Sequence, residues 1–248
     1  MTTTREPTTP AGSPVTDRQR PWIRLLGWAA VLSAAADVAL MALVGAVIPP
    51  VAAGVALSFV GIALLARRPR AGTALLAAVS TLLVVSGAPF ALPHLAHPES
   101  AIDFGHAVVH LGGRLVAVAA AVGAWRSAPA LLARRLTRVA VGALLATVVT
   151  TGVAAGGSTG ETASLGDVTV PVQKFAFPPE VKAASGATVF VDNRDLTRHT
   201  FTVRGTSVSE QLRPGVGARF RLDLAPGAYP LFCDVPGHEA MRATLIVE

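Results

Sequence analysis

The chain predicts an α-helical membrane bundle of five transmembrane helices followed by an all-β Greek-key sandwich. Three observations carry this. Apolar residues make up 52% of the 248 residues and gather in the first two thirds. Arginines recur at every second gap between the apolar stretches, and the last third breaks into short runs separated by turn residues. A mean hydropathy of +0.54 with 15% charged residues is too apolar for an ordinary soluble protein.

Residues 1–21 are rich in Thr and Pro and read as a disordered cytoplasmic tail. Residues 22–156 hold five stretches of membrane-spanning length, about Leu25 to Ile48, Pro49 to Ala66, Ala71 to Leu92, Ile102 to Trp125 and Val139 to Ala155. The first is about twice as long as a signal-peptide apolar region and follows a polar tail, which predicts an uncleaved anchor. Trp22 and Trp125 stand at span ends, the usual aromatic position.

Arginine placement sets the orientation. Arg5, Arg18, Arg20 and Arg24 precede the first span, Arg67, Arg68 and Arg70 separate the second from the third, and Arg126, Arg134, Arg135 and Arg138 separate the fourth from the fifth. The connections between them, Pro49-Pro50 and Pro93 to Asp103, carry no Lys or Arg. By the positive-inside rule the N-terminus is cytoplasmic, and an odd number of spans places the C-terminal domain outside the plasma membrane. The pI near 10.9 does not indicate nucleic acid as a partner. From Glu161 onward there are seven Arg and two Lys against ten Asp and Glu, so the excess positive charge borders the spans.

Residues 157–166 follow as a Gly-rich flexible tether, and residues 167–248 as the sandwich. Strand-like runs occupy Val168 to Lys174, Ala187 to Val191, His199 to Arg204, Arg219 to Leu224, Tyr229 to Cys233 and Ala243 to Val247. Turn residues such as Asn193-Arg194-Asp195 and Ala225-Pro226-Gly227 divide them, the pattern of a sandwich. A single cysteine excludes an intramolecular disulfide, so the domain depends on its apolar core and on whatever its ligands hold.

That cysteine, Cys233, opens a run that also contains His238 and Met241. Thiolate, imidazole and thioether within nine residues are three ligands of a mononuclear copper site, and His199 on an upstream strand can supply the fourth. Two His and one Cys with a weak thioether form the blue-copper set, whereas thioether is a poor zinc ligand. Pro236-Gly237 gives the loop its turn.

The loop from Cys233 to Met241 resembles the C-terminal ligand loop of the cupredoxin family of blue copper proteins, and Asn193 to Val203 resembles that family's first-histidine segment. The resemblance covers Asp167 to Glu248 and implies that His199, Cys233, His238 and Met241 bind one type 1 copper. His238 and Met241 are separated by only two residues, a shorter spacing than in many members. The membrane region resembles no family recognised from its residues.

The other four histidines, His94, His97, His106 and His110, cluster at the outer ends of the third and fourth spans. They form a candidate second site for copper or haem b; the alternative is that they sit in interfacial loops and hydrogen-bond within the bundle. Asp103, His106, His110 and Arg114 share one helical stripe. Arg114 then lies about 18 Å and Asp37 about 15 Å below the outer surface at 1.5 Å per residue, which predicts an intramembrane Asp37–Arg114 ion pair. Gly112-Gly113 beside Arg114 predicts close helix packing.

No phosphate loop, nucleophile elbow or zinc-protease helix is present, which leaves hydrolytic and nucleotide-dependent catalysis without residues. The expected function is single-electron transfer by a membrane-anchored copper protein, an electron carrier more than an enzyme. Its partner would be a redox protein or a membrane electron carrier. The alternatives are extracytoplasmic copper binding and delivery, or a membrane oxidoreductase whose second centre uses the membrane histidines. The Ala/Arg/Val-rich composition suggests a bacterial origin.

Overall fold

The computed structural model describes residues 15–157 and 159–248. The predicted tail therefore lies mostly outside the described residues. Among those described, five helical segments are long and apolar enough to cross a membrane: Gln19–Val44, Pro49–Arg67, Pro69–Ala96, Ala101–Trp125 and Ala130–Gly156. The last begins nine residues before the expected apolar stretch, because Arg134, Arg135 and Arg138 extend the helix beyond its apolar part. Helix boundaries follow backbone hydrogen bonding and membrane boundaries follow hydropathy, so the two need not coincide.

Helix α1 (Gln19–Val44) packs through small residues. A Cβ on Gly123 would stand 2.5 Å from the Trp22 ring, and one on Gly113 would stand 2.4 Å from Ser33 Oγ. Of the predicted glycine pair only Gly113 has this role; Gly112 faces open space. The Trp22 indole N–H donates to the carbonyl of Ala128 at 3.0 Å. Helices α2 (Pro49–Arg67) and α3 (Pro69–Ala91) approach at Gly61 and Gly72, where backbone meets backbone. Close approach through small residues is how helices associate where the hydrophobic effect is weak.

The third span tightens after Pro89 into a 3₁₀ turn, Leu92–Ala96, which carries His94. The fourth is interrupted: α4 (Ala101–Ala107) leads through a π-helical turn, Val108–Gly112, into α5 (Gly113–Trp125). Such turns insert one residue into the helical ladder and recur at functional sites. Helix α6 (Ala130–Gly156) buries only Ala133, leaving apolar side chains such as Val148 and Val153 outward, a surface suited to hydrocarbon.

The sandwich has two sheets. One runs β1 (Val168–Val172), β3 (Thr188–Asn193), β6 (Gly217–Arg221); the other runs β2 (Glu180–Ala183), β8 (Arg242–Val247), β7 (Gly227–Phe232), β4 (His199–Val203), β5 (Ser209–Leu212). β4 and β7 are antiparallel neighbours although β5 and β6 lie between them in the chain, a Greek-key crossing. The core fills with Val170, Val172, Val189, Val191, Phe201, Leu222 and Leu245 from alternating strand positions. Phe201 meets Phe177 and Phe220 edge to face at its centre.

Part of the segment expected as a flexible tether, Gly160 and Glu161, lies against the sandwich. Glu161 bridges Gly217 at the edge of β6 and its carboxylate accepts from the Arg219 amide, while a Cβ on Gly160 would meet Val216 at 2.7 Å. An exposed strand edge offers unpaired backbone groups, and the linker supplies partners for them. The ligand-bearing end of the sandwich rests on the bundle. The Arg198 amide donates to Ser100 Oγ at 3.2 Å and to Asp103 Oδ2 at 3.3 Å, and Ser100 Oγ donates to the same carboxylate oxygen.

Candidate metal centre

Strand β4 delivers His199, and the turn after β7 delivers Cys233 and His238. His199 Nδ1 and His238 Nδ1 are 3.1 Å apart, and Cys233 Sγ lies 3.9 Å from the first and 3.7 Å from the second. All three residues are buried. Met241 is buried in the same core, with its amide on the His238 carbonyl and its carbonyl accepting from the Cys233 amide. The residues from Cys233 to Met241 thus close a loop between β7 and β8, and Gly237 turns it at φ +91°.

Hydrogen bonding fixes which ring nitrogens are free. His199 Nε2 donates to Asp195 Oδ2 at 3.0 Å, so a neutral ring presents its Nδ1 lone pair toward His238. Burial pushes the His238 pKa down to about 4, with a further contribution from neighbouring His199. Burial also lowers the His199 pKa, against the opposing pull of Asp195. At neutral pH both imidazoles are therefore uncharged, and in the absence of metal His238 Nδ1–H donates to the His199 Nδ1 lone pair across 3.1 Å. Desolvation raises the Cys233 thiol pKa. A soft cation among the three atoms would replace that hydrogen bond, with the His238 proton on Nε2, and would stabilise the thiolate, so the donor set fits copper.

A surrounding shell holds these groups, and several of its members carry no motif in the sequence. Asp195 also accepts from the amides of Lys174 and Phe175, at 2.7 and 2.9 Å. Phe175 packs edge-on against both His199 and His238, with ring centroids 5.4 and 5.0 Å away. The Thr200 amide points at Cys233 Sγ from 3.4 Å, and its hydroxyl donates to Asp234 Oδ1 at 2.7 Å. The Asn193 amide group donates to the carbonyls of Thr197, Leu212 and Arg213, pinning the turn that carries Asp195. A 210 Å³ pocket adjoins this turn, lined by Leu40, Leu43 and Ile102 from the bundle and by Phe175, Asp195 and Leu196 from the sandwich.

The membrane histidines do not gather as one group. His97 Nδ1 lies 2.9 Å from Glu99, and His94 is carried separately on the 3₁₀ turn. His106 Nε2 and His110 Nδ1 instead converge on Asp37 Oδ1, at 3.2 and 2.7 Å. Arg114 Nη2 reaches the other carboxylate oxygen at 2.5 Å, with both side chains buried. Sequence spacing indicates the Asp37–Arg114 approach; that Asp37 also gathers two imidazoles depends on how α1 packs against the fourth span.

A family model described as a cupredoxin-like domain matches residues 142–247. Similar solved structures include a reduced Cu(I) form of an amicyanin mutant, 24% identical, with a TM-score of 0.30, covering 36% of this chain and 87% of that one. A copper-containing nitrite reductase from Thermus scotoductus SA-01 is 25% identical, with a TM-score of 0.26 and coverage of 37% and 24%. A chain of a heme-copper terminal oxidase dimer is 23% identical, with a TM-score of 0.28 and coverage of 47% and 99%. No match was found among the curated proteins.

Proposed function

We propose that this chain, whose C-terminal domain is cupredoxin-like, is a membrane-anchored type 1 copper protein that passes single electrons on the extracytoplasmic side. His199, Cys233 and His238 would hold the ion and Met241 would supply the weak fourth ligand. The observation that carries this reading is the convergence of one thiol sulfur and two imidazole Nδ1 atoms within 3.9 Å. Copper bound there supplies a one-electron couple. The protein's own part is to keep the ligands still. Asp195 orients His199, the Thr200 amide points at the sulfur, and Phe175 covers both imidazoles from one side. Such supporting contacts tune a metal site and limit movement of its ligands.

Orientation is part of the proposal. Arginine placement supports an extracytoplasmic domain, and its ligand end rests on the bundle through Arg198, Ser100 and Asp103. A redox protein or a membrane electron carrier is the partner such a site requires. A second reading, copper delivery, is favoured by one observation: the ligand end faces a bundle that holds two more imidazoles beside a carboxylate.

Purified intact protein distinguishes these readings by its copper and haem content and its visible spectrum. Electron transfer predicts one thiolate-bound copper per outer domain, an intense visible charge-transfer band and reversible bleaching on reduction. Weakly held Cu(I) that passes readily to a chelator, without that band, contradicts it and supports delivery. A bound haem would revive the oxidoreductase reading.

A further inference from the structure

We propose that Asp37, His106 and His110 form a second cation site within the bundle, selective for monovalent copper. One donor atom from each lies within 4.8 Å of the others. A metal–imidazole bond is about 2 Å long, so one ion reaches both rings with a small rotation of His106, whose side chain is 20% exposed. The choice of copper rests on the function proposed for the outer domain; the existence of a cation site rests on the bundle alone.

Hydrogen bonding points to a cation. His110 faces two acceptors, Asp37 Oδ1 at 2.7 Å through Nδ1 and the Leu83 carbonyl at 3.4 Å through Nε2. A neutral ring has one hydrogen for the two. With Nε2–H on Leu83, the Nδ1 lone pair lies beside the carboxylate, where an ion would bridge the two. A ligating histidine whose other nitrogen donates to a carbonyl is the usual supporting arrangement. Arg114 binds only Oδ2, leaving Oδ1 to the imidazoles.

Charge selects the ion. Arg114 already balances Asp37, so a monovalent ion adds a single positive charge to the site. A divalent ion would add another positive charge beside a buried guanidinium, at high cost away from water. Local geometry admits the ring. The π turn Val108–Gly112 carries His110, and a Cβ on Gly87 would lie 2.7 Å from His110 Nε2.

Anaerobic titration of the intact, metal-free protein with Cu(I), against a chromophoric chelator, tests the site. Wild type takes two ions. The His106→Ala/His110→Ala variant takes one and keeps the outer thiolate band after oxidation. The Cys233→Ser/His238→Ala variant takes one, and X-ray absorption of that ion shows nitrogen and oxygen neighbours without sulfur. Should the inner double variant lose the outer band through misfolding, His106→Gln, which keeps a hydrogen bond to Asp37, replaces it and must show the same loss of one ion. One ion in a wild type that shows the thiolate band, two in the inner variant, or Zn(II) held as tightly as Cu(I) overturns the proposal. Failure of the outer-site reading shows separately, as a wild type with no thiolate band whose outer double variant still takes one ion.

Discussion

At the residue scale, the proposed chemistry is divided between groups that would donate to the cation and groups that position them. Asp195 is the clearest positioning residue, because it fixes the His199 tautomer and holds the backbone of Phe175. Asp195→Asn should weaken copper binding by about 10- to 100-fold while leaving the thiolate band in place; competition titration reads the affinity and absorbance the band. Acidification acts on the same groups. The thiol pKa is raised and must fall for metal to bind, so Cu(I) affinity should drop by about tenfold per pH unit below that raised value. The metal-free domain should also lose stability as pH falls from 6.5 toward about 4. The unfolded chain takes up the His238 proton first, so protonation favours unfolding through that window. Chemical denaturation at a series of pH values reads this; a flat profile would contradict a buried neutral His238.

How much was legible follows element by element. The grouping of His199, Cys233 and His238 was legible because thiolate and imidazole at this spacing have few other uses. The supporting shell was not. Asp195, Phe175 and Asn193 meet the site only because β1 pairs with β3, which sets the turn after β1 beside the turn between β3 and β4, and nothing in their local sequence marks that. Strands β2 (Glu180–Ala183) and β5 (Ser209–Leu212) went unseen since each has four residues and their burial shows as few as one inward side chain. The five spans were legible from hydropathy, whereas the π turn in the fourth was not, since a π turn depends on what the helix packs against. That packing makes the Asp37 cluster cooperative. Asp37→Ala should destabilise the bundle by about 3–5 kcal/mol by leaving Arg114 buried and unpaired. Adding Arg114→Met should recover part of the loss, a non-additivity measurable by unfolding of the detergent-solubilised protein. Exchanging the two charges should restore less than simple ion pairing implies, because an arginine at position 37 would face His106 and His110.

The whole molecule joins a cupredoxin-like β domain to a bundle of long apolar helices through a small polar contact. The Arg198 amide on Ser100 and Asp103 lies directly before His199, so the contact positions the ligand end of the sandwich. Replacing both Ser100 and Asp103 by Ala should raise amide hydrogen exchange around residues 194–199 and leave the core strands protected, since Phe201, Leu222 and Leu245 stay packed. Equal exchange in both proteins would show that the contact does not hold the domain.

The central claim is that one thiolate and two imidazoles share a copper ion. Electron paramagnetic resonance of the Cu(II)-loaded intact protein tests it most directly. The account predicts the small parallel hyperfine splitting of a covalent copper–thiolate centre, abolished in Cys233→Ser. A large splitting typical of nitrogen and oxygen ligands alone, unchanged by that substitution, would contradict it.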